Sequence, residues 1–489
     1  MQSIYNLIMG FIKLLEPTHF GLMALASVLG IAIGALPGLT AAMSIALLSS
    51  ITYGMDPEYA IPMLIALYAS GIYAGSISAV LLNIPGTPSA AATSIDGYLL
   101  AQKGRAGEAL GYARTASFWG GIIGVMVLAM ATPPLIRLAL KFGPWEYFVL
   151  AIMGVMVSGS LSMGQLQIKG WITGFLGLLV SMIGVDTLTL YPRYTFGNLF
   201  LMNGISLIPA LIGLFGFSEV LYVMSDTSEA KLTVDPKSLK VGMPILQTLR
   251  YWKTIIRSSI IGVIAGAIPG VGEDIAAWLG YAAAKNTNKE IGKGEIEGVI
   301  AAEVANNAAI GGASIPLLSL GVPGSGAAAV LMGGIMLHGI RPGPLISIEK
   351  PQFIYDYIAM QLMANVMLLV FGLILSNLFV KVLLIKKDVL MPIVATLCVI
   401  GSYAVNNSIF DVYVAIALGV LGYILRIYGY PLAPFTLGLI LGTMADENLR
   451  RGLMLSNNAI YPFFTRPVTL VLWLLIVVMT LWRSHRAKA

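Results

Sequence analysis

Three carboxylates lie within apolar stretches of the second half of the chain: Glu273, Asp274 and Glu303. A charge inside a membrane is costly, and it persists where it handles a proton, an ion or a substrate. Glu303 stands one helical turn before Asn306 and Asn307. That spacing puts carboxyl and amide oxygens on one helix face, where they suit a sodium ion or a proton. Glu273 and Asp274 lie just past a Pro269-Gly270 pair, so all three acids are expected to face one cavity as coupling-ion ligands. For Asp274, charge placement at a helix start is an equal expectation.

Four Pro-Gly pairs interrupt apolar stretches: Pro37-Gly38, Pro85-Gly86, Pro269-Gly270 and Pro323-Gly324. Proline deletes a helical hydrogen bond and clashes with the preceding turn, while glycine opens backbone angles closed to other residues. The helix is expected to break at each. In lipid such a break is tolerated only where protein or a wet cavity satisfies the freed amides and carbonyls. A half-helix starting there aims free N–H groups and a positive dipole end at its ligand, which favours a carboxylate or phosphate. Thr40, Ser44, Asn83, Thr87, Ser89, Ser314 and Ser325 flank the breaks and add small polar groups without filling space. The expected substrate-binding set is therefore the four Pro-Gly pairs with Thr40, Asn83, Thr87, Ser89, Ser314 and Ser325, and the expected ligand is a small organic anion. Asn83 also offers an oxygen to sodium. Helix capping and bonding between packed helices are the competing roles for these residues.

The chain segments that carry these residues are written twice. Gly34-Ala35-Leu36-Pro37-Gly38 reappears as Gly266-Ala267-Ile268-Pro269-Gly270, an offset of 269 − 37 = 232. Residues 83–91, around Pro85-Gly86, have a counterpart in residues 321–328, and 323 − 85 = 238. The loop at 285–297 carries Lys285, Lys289 and Lys293, whereas its counterpart at 52–59 has no Lys or Arg and carries Asp56 and Glu58. Positive charge marks the cytoplasmic side, so the two loops are expected to face opposite sides. Inverted-topology repeats follow, over 1–224 and 254–489, the arrangement that lets two half-sites exchange access. The polar linker 225–253, with Lys231, Lys237, Lys240, Arg250 and Lys253, is expected to be cytoplasmic.

Hydrophobic residues make up 57% of the 489 and charged ones 11%, against roughly 25% charged in a soluble domain. This excludes a water-soluble globule. Apolar runs at 21–33, 61–82, 118–131, 147–161, 171–185, 354–385, 389–403, 412–424 and 468–482 predict an all-α polytopic membrane protein with about 10–12 transmembrane segments. The first fifteen residues lack the basic region and small-residue cleavage site of a removable leader. Cys398 is the sole cysteine, and His19, His338 and His485 are scattered, so no cofactor and no metal beyond sodium is expected. The net charge of +6 lies in loops and helix ends, which gives no reason to expect nucleic acid. Asp96, near Lys103 and Arg105, reads as a helix end meeting a loop, and Asp446-Glu447 with Arg450-Arg451 as an interfacial charge cluster. A phosphate-binding Gly-x-x-x-x-Gly-Lys-Ser/Thr loop is missing, as are serine-elbow and zinc-protease motifs. ATP-driven pumping by this chain and enzymatic chemistry are not expected. A passive anion channel and a non-transporting membrane scaffold subunit remain as alternatives to a secondary transporter.

The chain resembles the large membrane subunit of the tripartite tricarboxylate transporters, the TctA type, nearly end to end. The resemblance rests on the 34–38 region, Asp96-Gly97-Tyr98, 104–107, 141–148, Gly213-Leu214-Phe215-Gly216, 303–307, 338–344 and 438–451. It implies a multi-pass permease of the bacterial inner membrane that works with a small membrane subunit and a periplasmic solute-binding protein. It also implies uptake of a di- or tricarboxylate driven by a sodium or proton gradient, along a path lined by the four Pro-Gly pairs, and it leaves room for an oligomer. Two positions depart from the family pattern: Thr87, where a Glu often follows the first-half Pro-Gly, and Ala302, where a Pro often precedes the acid at 303.

Overall fold

A computed structural model of the chain describes residues 2–161, 167–225, 241–375 and 387–486, together with 378, 383 and 385. Most of the sequence-derived linker, including Lys231, Lys237 and Lys240, lies outside the described residues. Its C-terminal end, Trp252 and Lys253, already belongs to a helix.

The architecture is helical, with one two-residue-per-strand antiparallel hairpin, β1 (Gly184–Val185) and β2 (Pro192–Arg193). In order the main helices are α1 (Gln2–Leu14), α2 (Pro17–Ala35), α3 (Ala41–Ile51), α4 (Pro57–Leu82), α5 (Ala91–Gln102) and α6 (Ala106–Ala139). Then come α7 (Pro144–Leu161), α8 (Gln167–Ser181), α9 (Leu207–Ser225, with a wide π turn at its centre), α10 (Trp252–Ala267), α11 (Gly272–Thr287) and α12 (Ile296–Leu320). The last are α13 (Gly326–Leu337), α14 (Pro351–Ile374), α15 (Lys387–Asn406), α16 (Ile409–Ile427), α17 (Leu432–Leu455) and α18 (Pro467–Arg486). Among the described residues seven helices are long and apolar enough to cross a membrane unaided: α2, α4, α6, α9, α14, α15 and α16. Shorter apolar helices add to these. α3 and α13 have 11 and 12 residues, which at about 1.5 Å per residue reach roughly half of a ~30 Å hydrocarbon core.

These half-length helices arise where proline and glycine stop the chain. α2 ends at Ala35, Leu36 turns extended, and Gly38 takes φ +87° before α3 begins. α10 ends at Ala267, Ile268 turns extended, and Gly270 takes φ +80° before α11. α4 closes with Asn83 and α12 with Gly321, both left-handed at φ 58° and 71°. After each, an extended residue, Thr87 or Ser325, leads into the next helical piece. All four expected breaks are present.

Small residues let the broken helices touch backbone to backbone, as packing in lipid requires. A methyl group on Gly34 of α2 would lie 2.4 Å from Gly71 O of α4, and one on Gly266 of α10 would lie 2.2 Å from Ala309 O of α12. The returning chain closes on the same seams, since a methyl on Gly86 would meet Gly34 O at 2.2 Å and one on Gly324 would meet Gly266 O at 2.0 Å. α4 and α12 are thereby buried on all sides, the place for helices that are apolar all round. α6 packs along α12 through Gly120 and Gly124, and α14 lies against α4. The half-helices cross over: α3 packs on α13, and α11 on the turn Pro88–Ala90.

Candidate functional site

The breaks hold one another in place. Gly270 N–H donates to Gly324 O at 2.9 Å, joining the two second-half breaks, and Gly86 N–H donates to Gly75 O at 3.2 Å within the first half. Thr40 caps α3 by accepting from Met43 N–H at 3.2 Å, and Ser325 caps α13 by accepting from Ala328 N–H at 3.0 Å. Ser44 donates to Thr40 O. Capping thus takes part of the hydroxyl capacity that the sequence offered for ligand.

Two buried carboxylates stand beside these breaks, in separate hydrogen-bonded sets. Glu273, in the first turn of α11, accepts from Tyr68 OH of α4 at 3.3 Å at each oxygen, and that phenol lies 3.2 Å from Ser325 Oγ. Glu303, in α12, has no exposed surface; it accepts from Thr93 Oγ1 of α5 at 2.5 Å and from Ser117 Oγ of α6 at 2.8 Å. Neither has an ion-pair partner among the described residues. Asp274 is exposed. The three acids do not share a set of ligands, because Glu273 and Asp274 are adjacent on a helix and point different ways, and Glu303 belongs to another helix.

The amides join the Glu303 set to the break at Pro85-Gly86. Asn306 Nδ2 reaches Ser89 O at 3.5 Å, Thr87 Oγ1 and Ser89 Oγ are 2.9 Å apart, and Asn307 Nδ2 donates to Asn306 Oδ1 at 2.6 Å and to Glu303 O at 3.2 Å. Asn307 Oδ1 is buried with no hydrogen-bond partner among the described residues. A buried acceptor without a donor is a place for a cation or a water. Ser314 belongs to a different polar group, 2.9 Å from Tyr357 OH and accepting from Gln361 Nε2 at 2.8 Å. Asn83 is exposed and serves the backbone at the end of α4. Pro37, Pro85 and Gly38 are half-buried, while Gly86, Pro269, Pro323 and Gly324 are buried.

Several residues of this region carry no signal in the sequence. Tyr68, Thr93 and Ser117 look like ordinary helix residues until the fold brings them to the acids. Arg114, fully buried in α6, is held by backbone carbonyls, donating to Gly372 O and Gly242 O. Asp96 is not at a helix end. It sits in the middle of α5, fully buried, and accepts from Tyr281 OH at 2.8 Å and from the backbone N–H groups of Gly292, Gly294 and Glu295. Arg105 pairs instead with Glu108, and Lys103 with Lys293 O. Asp446 pairs with Arg450 and Glu447 with Arg451, as a charge cluster requires, and Arg450 also pairs with Asp186. That hydrogen bond, helped by the Thr189 and Leu188 amides, holds the Asp186 carboxyl well below its usual range. The stability that this tether contributes is therefore full above about pH 4, the range of a free carboxyl, and is lost progressively as pH falls from there toward the depressed value, while the ion pair itself persists below that range in the folded protein.

Long apolar helices, four interrupted spans and buried, unpaired carboxylates at the interruptions define a polytopic membrane protein of transporter design. The chain belongs to the tripartite tricarboxylate transporter TctA family, whose model matches residues 20–437. It is a transporter component and not an enzyme. It is 38% identical over 495 residues, covering 100% of this chain and 98% of the relative, to the Agrobacterium vitis protein named "Uncharacterized 52.8 kDa protein in TAR-I ttuC' 3'region". A second A. vitis protein, "Uncharacterized protein in TAR-II ttuC' 3'region", is 39% identical over 233 residues, 46% of this chain and 96% of the relative. No solved structure matches the chain.

Proposed function

We propose that this chain is the permease subunit of a binding-protein-dependent secondary transporter in the bacterial inner membrane, importing a citrate-like di- or tricarboxylate with a cation. The observation that carries the reading is the set of four backbone breaks inside apolar helices, each followed by a half-helix or helical turn. Amide groups and cap hydroxyls at Thr87-Ser89 and at Ser325 supply donors for carboxylates, and Thr40 supplies another at the first break. The same local sequence of stop, positive-φ residue and restart in both halves supports two repeats, 1–224 and 254–489, joined by a cytoplasmic linker at 225–253. The loop charges support their inversion.

A periplasmic binding protein delivers the anion to a cavity between the halves, and a small membrane subunit completes the complex. The anion sits at the Pro85-Gly86 and Pro323-Gly324 half-helix ends. The coupling cation sits with Glu303, Asn306 and Asn307, where a sodium ion or proton relieves the cost of a buried carboxylate without an ion-pair partner. Glu273 and Asp274 are the second choice for that cation. Movement of one bundle against the other then exposes both ligands to the cytoplasm.

Carboxylate uptake into proteoliposomes holding all three subunits is the test. Saturable uptake that stops when the sodium and proton gradients are collapsed is expected. Uptake indifferent to both gradients defeats the coupling, and non-saturable flux without the binding protein makes the chain a channel.

A further inference from the structure

The segment between α8 and α9 presents large apolar side chains on a stretch that is not helical enough to span a membrane. Leu190, Tyr191, Tyr194, Phe196, Leu199 and Phe200 are all exposed, Phe196 at 90% and Tyr191 at 71%. Three of these bulky residues, Leu190, Tyr194 and Phe196, take left-handed φ of 58°, 52° and 50°. That conformation is uncommon outside glycine and persists where the surroundings enforce it. Here the hairpin register fixes Gly184 opposite Arg193, Asp186 is tied to Arg450, and Arg193 reaches Asp446 at 2.9 Å. The side chains are therefore held outward by a braced loop.

Three observations choose the occupant of this surface. Between residues 187 and 204 the sole ionised group is Arg193, and it is turned inward to Asp186 and Asp446. The outward face is thus uncharged and rich in tyrosine and phenylalanine, the composition of a membrane–water interface, whereas a protein docking surface keeps a polar rim. Next, the patch continues a surface that already faces lipid. The Phe200 ring stacks on Phe410 at 5.4 Å and 15°, and Phe410 lies in the first turn of the spanning helix α16, whose exposed face is Ile409, Tyr413, Ile416 and Val420. Last, irregular backbone cannot lie in hydrocarbon with its amides exposed to lipid. That fixes the loop at the headgroup level with only its side chains reaching down.

We propose that residues 187–204 form an interfacial anchor, inserting Tyr191, Phe196 and Leu199 into one leaflet at the boundary of headgroups and acyl chains. The anchor is tied through Asp446 and Arg450 to α17. That helix packs tightly on α8, since methyls on Gly177 and Gly438 would lie 2.1 Å from Phe435 O and Gly174 O, and on α7, where a methyl on Gly154 would lie 2.7 Å from Leu441 Cδ1. The unit α7–α8–α17 is thereby set at a fixed depth in the bilayer.

The test is independent of transport. In a Cys398→Ala background, Phe196→Cys and, separately, Tyr191→Cys are spin-labelled and the full chain is reconstituted into phosphatidylcholine–phosphatidylglycerol liposomes. Collisions of the label with oxygen and with a water-soluble nickel complex are read by power saturation, with Lys289→Cys as the exposed loop reference. The expected result is several-fold fewer nickel collisions and more oxygen collisions at 196 and 191 than at 289. Nickel access equal to that at 289 overturns the anchor. Shielding from both probes also overturns it, in favour of contact with protein, as does lipid-free access that is lost only when the partner subunits are added.

Discussion

The two halves solve one backbone problem with different side chains. At the first-half breaks, α3 begins with Ala41-Ala42 and no acid, and α4 carries its acid, Glu58, only in the first turn. At the second-half breaks, α11 carries Glu273 and Asp274 in its first turn, and α12 holds Glu303 as the eighth of its 25 residues. The partners run the other way, because Tyr68, Thr93 and Ser117, which donate to these carboxylates, all come from the first half. Similar helix breaks thus carry an asymmetric site, with charge from one half and hydroxyl donors from the other. A site divided in this way is altered by any relative movement of the halves, which is what coupling of an ion to a conformational change needs.

The largest expected effect tests the shared part. Gly86→Ala and Gly324→Ala should each destabilise the fold by about 3 kcal/mol or more, beyond ordinary overpacking, because the new methyl meets a backbone carbonyl that cannot move aside. Gly326→Ala, whose nearest neighbour would be Ala433 Cβ at 3.6 Å, should be close to neutral. Thermal unfolding in detergent reads the difference, and equal loss at 326 would remove the seam argument. The next effect tests the asymmetry. Glu303→Gln should lower gradient-driven uptake by roughly 10- to 100-fold, the range of a lost hydrogen bond to a charged group. Its first-half counterpart by the 238 offset, Ile65, is a hydrocarbon, and Ile65→Val should leave uptake within about twofold, since trimming one methylene acts on packing. Similar losses at both positions would mean that charge is not what divides the halves.

Smaller effects sharpen the comparison of caps. Thr40→Ala removes a cap alone and should cost about 1 kcal/mol. Ser325→Ala removes the cap and the contact to Tyr68, so it should cost more, and in a Tyr68→Phe background the excess should vanish. The smallest effect is at the left-handed helix ends. Asn83→Gly should be neutral within about 0.5 kcal/mol, whereas Gly321→Ala should cost about 1 kcal/mol. Chemical or thermal denaturation of the purified chain checks both pairs.

Everything that could be read from residue order alone is local. Proline and glycine act on their own turn of chain, so the four breaks, the half-length helices and the membrane class could be read before any fold was known. The presence of buried acids was legible for the same reason, as Glu303 stands in an apolar run wherever that run lies. Tertiary structure alone decided which groups meet. Glu303 and Thr93 are 210 residues apart, Glu273 and Tyr68 are 205 apart, and nothing in a serine, threonine or tyrosine on a helix names its partner. The structure places Glu273 with Tyr68 and Glu303 with Thr93 and Ser117, and it leaves Asp274 exposed, groupings that residue spacing could not give because it fixes a face of one helix and not the neighbour that the face meets. Asp96 was misread likewise: its carboxylate is satisfied by amides of a loop almost 200 residues away, which only the docking of α5 against α11 and α12 brings within hydrogen-bond reach.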